Sequence, residues 1–171
     1  MRALIEETPT RILGIDPGLN VTGYGVIDVI GNTVTLVEAG IVKSKRRDTL
    51  SERLLSLHEG ITDVVQSLKP QAIAVEQLYS HYERPRTAIL MGHARGVLVL
   101  SAAQNDLPLY DYAATQVKRM LTGNGRAPKT QIQSAIMHQL GLEETPEPHD
   151  IADALAIALC HWFQTRAASL I

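Results

Sequence analysis

Four carboxylates stand where carboxylates are costly. Asp16 ends the run R-I-L-G-I-D from Arg11, which is apolar and β-branched and reads as a buried strand. Burying a carboxylate there costs several kcal/mol unless a cation or hydrogen bonds offset it. Pro17 and Gly18 turn the chain away and leave the site open on that side. Asp16 is therefore a metal ligand, the start of a phosphate-binding turn, or an aspartate capping a turn. The run A-I-A-V-E, Ala72 to Glu76, is a second short apolar strand ending in an acid. His149 to Leu159 opens a helix that carries Asp150 and Asp153 on one face of its first turns. The helix dipole favours negative charge at that end, so both are expected to stay ionised near neutral pH.

Four oxygen-donor groups from two strand ends and one helix suit a hard divalent ion such as Mg²⁺. Two such ions about 4 Å apart stabilise the attacking and leaving oxygens of an in-line phosphoryl displacement. Glycosidase chemistry also uses paired acids, but two would suffice.

The stretches that carry these acids resemble the RuvC family of Holliday junction resolvases. The matching segments are R-I-L-G-I-D-P-G-L-N-V-T-G-Y-G-V-I from Arg11, A-I-A-V-E-Q-L-Y from Ala72, and D-I-A-D-A-L-A-I-A from Asp150. H-A-R-G-V at His93 and Y-A-A-T-Q-V-K at Tyr112 add to them. The resemblance runs from about Arg11 to His161. It implies a ribonuclease H-like fold, a homodimer, and metal-dependent nicking of four-way junction DNA, with two Mg²⁺ (or Mn²⁺) per active site. Carried over by motif, the catalytic acids and metal ligands are Asp16, Glu76, Asp150 and Asp153. Some relatives place a histidine at the third acid, and His149 precedes Asp150; Asp150 keeps the three-residue spacing to Asp153. Lys118 and Lys129 match basic positions beside the scissile phosphate, with Arg119 and Arg126 as further DNA contacts. Tyr79 matches an aromatic that stacks at the junction centre. The helix with Gly92 and Gly96 matches the family's two-fold contact. A branch-migration motor complex is an expected partner, and no membrane is.

The acids need a frame. Three strands are expected near Arg11–Asp16, Thr22–Val29 and Thr33–Lys43, with Gly31 and Asn32 turning the chain between the last two. Gly23 and Gly25 in the second strand suggest close approach of another backbone or of DNA. Helical spacing predicts helices over about Thr49–Leu68, Arg86–Asn105, Ala113–Leu121 and Lys129–Leu140, the last stopped by Gly141. A short strand, Leu109–Tyr112, sits between the second and third. The result is an α/β domain: a mixed five-stranded sheet flanked by helices. A right-handed crossover sets the first strand and the Glu76 strand side by side and parallel, so Asp16 and Glu76 emerge at one end of the sheet. Gly92 and Gly96, four apart, permit a close helix–helix approach, either within the chain or across a dimer.

Composition sets bounds. The 171 residues fit one domain, with residues 1–10 an acidic lead-in and 11–171 the nuclease domain. The single cysteine, Cys160, excludes an internal disulfide, reads as core, and suits a reducing, cytoplasmic setting. There is no signal-peptide pattern and no apolar run of about eighteen residues. A net charge of −2 argues mildly against nucleic acid, but two bound divalent ions would turn it positive. Bases also cluster at Lys43, Lys45, Arg46 and Arg47, at Arg84 and Arg86, and at Lys118, Arg119, Arg126 and Lys129. Three other readings compete. A sugar-kinase or actin-like ATPase would need a second domain and a second phosphate loop. A ribonuclease H-like RNA-processing nuclease would share the acids. A binding module that does not cut would not need four of them.

Overall fold

Alternation along the first strand decides the layering. In the computed structural model, which describes residues 8–78 and 85–168, β1 spans Thr10–Asp16. Leu13 and Ile15 enter one core, while Ile12 enters the other and Gly14 lies against a helix on that second side. Asp16 shares the parity of Ile12 and Gly14 and therefore faces the second side. β1 pairs antiparallel with β2 (Val21–Ile30), which pairs antiparallel with β3 (Thr33–Lys43). β1 pairs parallel with β4 (Ala72–Glu76), and β4 pairs parallel with β5 (Leu109–Tyr112). The order is β3-β2-β1-β4-β5, the mixed five-stranded sheet expected. Thr10, predicted to belong to the lead-in, is the first residue of β1 and pairs with Val29.

Two helices cover one face and three the other. α1 (Leu50–Leu68) and α2 (Pro85–Gln104) bury Leu57, Ile61, Val65, Ala94 and Leu98 against Leu13, Ile15, Ile73 and Val75. The Thr49 hydroxyl caps α1, and the Glu52 carboxylate accepts from the Thr49 backbone N–H at 2.7 Å, a capping box. On the other face lie α3 (Ala114–Thr122), α4 (Lys129–Leu140) and α5 (His149–Ala168). α5 is buried almost all round from Ala152 to Trp162, Cys160 included, as a central helix between sheet and α3/α4 must be. Burial pushes the Cys160 thiol up to about 12, so it is an inert core group. Gly141 ends α4 in the left-handed region, at φ 65°. Among the described residues, no helix is long and apolar enough to cross a membrane.

Candidate active site

Asp16 and Glu76 are the last residues of two parallel neighbouring strands, and the Ile15↔Val75 register sets them beside each other. By parity both face α5. The other two acids arrive because glycine lets α5 descend onto the sheet. A Cβ on Gly14 would stand 2.2 Å from the Ala154 carbonyl oxygen, and one on Gly23 2.0 Å from that of Asp150. Gly23 pairs with Asp16 across β1 and β2, so the backbone contact at Gly23 fixes Asp150 over Asp16. Gly25 pairs with Gly14 and receives the Leu155 side chain in the same way. The close approach read from Gly23 and Gly25 is thus that of a helix of the same chain. Gly14, which completes the seat, was not singled out by the sequence; glycine inside an apolar strand was the available signal.

The turn after Asp16 is fixed from below. Thr22 is fully buried, its hydroxyl donates to the Gly18 carbonyl at 2.6 Å, and the Gly18 N–H donates back to it at 3.2 Å. This clamp is a second feature that sequence reading missed, because a threonine in a strand carries no signal of its partner.

The electrostatics show that the acids share one field. Burial, then Asp153, Glu76 and Asp150, push the Asp16 carboxyl up to about 8, and Lys129 opposes them. Glu76 is raised by burial and by Asp153, against Lys118. Asp153 is raised chiefly by burial and also by Asp150, against Lys129, His149 and Lys118. The helix dipole, worth about 0.3–1 kcal/mol, thus acts on Asp153 against a desolvation that works in the opposite direction. The Asp150 side chain is 19% exposed and that of His149 61%, with Nδ1 3.8 Å from the Asp150 carboxylate. Asp150, not His149, is the inward-facing member of the pair.

Two of the basic side chains, Lys118 and Lys129, come to line clefts with the acids. Glu76, Lys118, Ile132 and Asp153 line a cleft of about 230 Å³. Lys118, Lys129, Gln133 and Asp153 line an adjoining one of about 190 Å³. Gln133, one turn along α4 from Lys129, had no motif to announce it. Arg119 and Arg126 are exposed and line neither cleft. Tyr79 lies outside the described residues, as do Tyr82 and Arg84.

Among the described residues, no group of three or more His, Cys, Asp or Glu side chains closes into a ready metal cage. The donor chemistry nonetheless fits a hard cation. All four groups are carboxylates, and burial together with mutual repulsion holds Asp16 well above its usual range. A dication relieves that type of strain.

Similarity to known proteins follows the same residues. A family model described as crossover junction endodeoxyribonuclease RuvC matches residues 12–161. The chain belongs to the RuvC family. The RuvC of Rhodopirellula baltica is 58% identical over 149 residues, covering 87% of this chain and 84% of that one. The RuvC of Pelotomaculum thermopropionicum is 43% identical over 150 residues, covering 88% of this chain and 91% of that one. Among solved structures, that of T. thermophilus RuvC in complex with Holliday junction substrate superposes with a TM-score of 0.89 at 35% identity, covering 94% of this chain and 97% of that one. The yeast mitochondrial Holliday junction resolvase Ydc2 shares the fold, with a TM-score of 0.65 at 15% identity. RuvC nucleases as a class depend on divalent metal. Membership over most of the chain sets aside the sugar-kinase and RNA-processing readings.

Proposed function

We propose that this protein resolves four-way DNA junctions in recombination and repair by nicking two strands symmetrically. The observation that carries this reading is the convergence of Asp16, Glu76, Asp150 and Asp153 at one sheet end, facing Lys118 and Lys129, in a RuvC chain. The four acids would hold two Mg²⁺, or Mn²⁺ in their place. Bound there, such ions supply an activated water and neutralise charge on the attacking and leaving oxygens. Lys118 and Lys129 face the same acids and would stabilise charge developing on the scissile phosphate. The exposed Arg119 and Arg126 would hold neighbouring backbone phosphates. Tyr79 follows Glu76 by three residues and would stack on an unpaired base, worth about 1–3 kcal/mol.

The outward face of α2 supports a homodimer. A Cβ on Gly92 or Gly96 would meet nothing within 4 Å, so these glycines accommodate no neighbour among the described residues. Ile89 and Leu100 on that face are 61% and 51% exposed. A cytoplasmic enzyme of this kind would act on junctions presented by a branch-migration motor.

The test is a nicking assay with Mg²⁺ on a synthetic four-way junction, a linear duplex and an RNA–DNA hybrid. Paired nicks in the junction alone are expected. Cutting of the hybrid instead would identify an RNA-processing nuclease, and junction binding without cutting a binding module. Lys118→Ala and Lys129→Ala should each slow single-turnover cleavage about tenfold, some 1.4 kcal/mol of barrier. Weaker binding at an unchanged rate would move both lysines to the general DNA surface.

A further inference from the structure

We propose that a cleft lined by Arg46, Arg53 and Arg86 is a second phosphate site, which holds the backbone of a DNA arm away from the scissile bond. The proposal rests on the nuclease reading above. Leu19, Asn20, Thr87, Leu90 and Met91 complete the lining of this open cleft of about 470 Å³, and among the described residues no carboxylate takes part in it. Among the described residues, none of the three arginines enters an ion pair. Three guanidinium groups brought into one cleft repel one another, and a polyanion is their natural complement.

The cleft is built rather than incidental. Arg53 Nη2 donates to the Asn20 side-chain carbonyl at 2.6 Å, and its Nε donates to the Ser44 hydroxyl at 3.2 Å. The Ser44 N–H donates to the Asn20 carbonyl at 3.1 Å. Arg53 thereby ties the β1–β2 turn to the loop that carries Arg46. Arg86 and Thr87 come from the first turn of α2, where the positive end of the helix dipole adds to the potential.

Its position decides the ligand. β3 ends at Lys43 opposite Val21, so the loop with Arg46 leaves the sheet at the same end as Asp16. Asp16 faces α5, whereas the arginine cleft lies on the α1/α2 side of that edge. Asn20 follows Asp16 by four residues, so their Cα atoms are at most about 14 Å apart. That is at most about four nucleotides at the ~3.4 Å axial rise of one strand. A DNA strand crossing the end of the sheet would place one phosphate among the acids and another among the arginines. An acidic peptide would match the charge but not this alignment with the acids.

The experiment measures junction affinity of the full-length protein across a salt series, with Ca²⁺ replacing Mg²⁺ to prevent cutting. Arg46→Ala/Arg86→Ala should weaken binding at least tenfold and reduce the slope of log K against log[salt] by about two. Its single-turnover cleavage rate at saturating enzyme should fall much less than its affinity. Arg46→Lys/Arg86→Lys should keep the slope, which separates lost charge from a damaged fold. Wild-type slope and affinity in the alanine variant would overturn the proposal. So would a rate loss matching the affinity loss, since that would place both arginines at the scissile bond. Failure of the wild-type protein to bind junctions would instead defeat the nuclease reading, and this proposal with it.

Discussion

Asp16 carries the largest conflict in the site. Its carboxyl is buried among three others, and the opposing lysine does not restore its ordinary range. An acid whose folded-state pKa exceeds its unfolded value keeps its proton in the fold after the unfolded chain has released it. The folded state then binds more protons, so stability falls as pH rises. For Asp16 the window runs from 3.8 to about 8, and the stabilising contribution is complete only below it. Glu76 and Asp153 are shifted the same way and add to the slope. Metal-free protein should therefore unfold at lower urea concentration at pH 8 than at pH 5. Asp16→Asn should flatten much of that difference and be the more stable protein at pH 8. The same variant should lose nicking while keeping junction binding, because phosphate contacts supply most of the affinity. Added Mg²⁺ should stabilise the wild type and leave the variant nearly unchanged. A constant gap between the two urea midpoints across pH would show that Asp16 titrates as an ordinary carboxyl.

At the scale of elements, the site exists because α5 lies against glycine rather than against side chains. Gly23→Ala puts a methyl group 2.0 Å from the Asp150 carbonyl oxygen, with backbone on both sides. The start of α5 must lift, taking Asp150 away from Asp16. Overpacking of this kind costs about 1–3 kcal/mol. The displacement should reduce single-turnover nicking more than tenfold while junction affinity and far-UV circular dichroism stay near wild type. Wild-type cleavage by Gly23→Ala would mean that the contact does not position Asp150. The strands and helices that build this seat were legible in the sequence, since Arg11–Asp16 is an apolar run closed by Pro17 and Gly18, and Ala72–Glu76 is one that follows Pro70. Gly141 likewise marks a real helix end. What was not legible depends on contacts distant in sequence. Nothing local says that Gly14 pairs with Gly25 beneath one helix, or that Thr22 clamps Gly18. The upward push on the Asp153 carboxyl is non-local in the same way. The dipole is a property of its own helix, whereas the cleft around Asp153 is lined also by residues of α3 and α4.

At the scale of the whole molecule, one helix face leaves its glycines without a neighbour among the described residues. α2 turns Ile89, Gly92, His93, Gly96, Val97 and Leu100 toward an apolar hollow. Twenty residues of helix extend about 30 Å, long enough to anchor an interface of standard size, about 1,600 Å² in total. Helices with glycine at the crossing approach closely, and the two-fold axis of such a pair would present two active sites in equivalent settings. A four-way junction offers two equivalent strands, so the symmetry of enzyme and substrate would match. Gly96→Leu should not disturb the folded chain, because nothing lies within 4 Å of a Cβ there. It should instead hold the partner helix away. Sedimentation velocity at micromolar concentration should show a wild-type dimer and a Gly96→Leu protein shifted toward monomer, with dimer dissociation at least tenfold easier. On a junction carried in a supercoiled plasmid, the variant should release singly nicked circles where the wild type releases linear product. A wild-type protein that sediments as a monomer under these conditions, yet still makes paired cuts, would remove α2 as the source of the pairing.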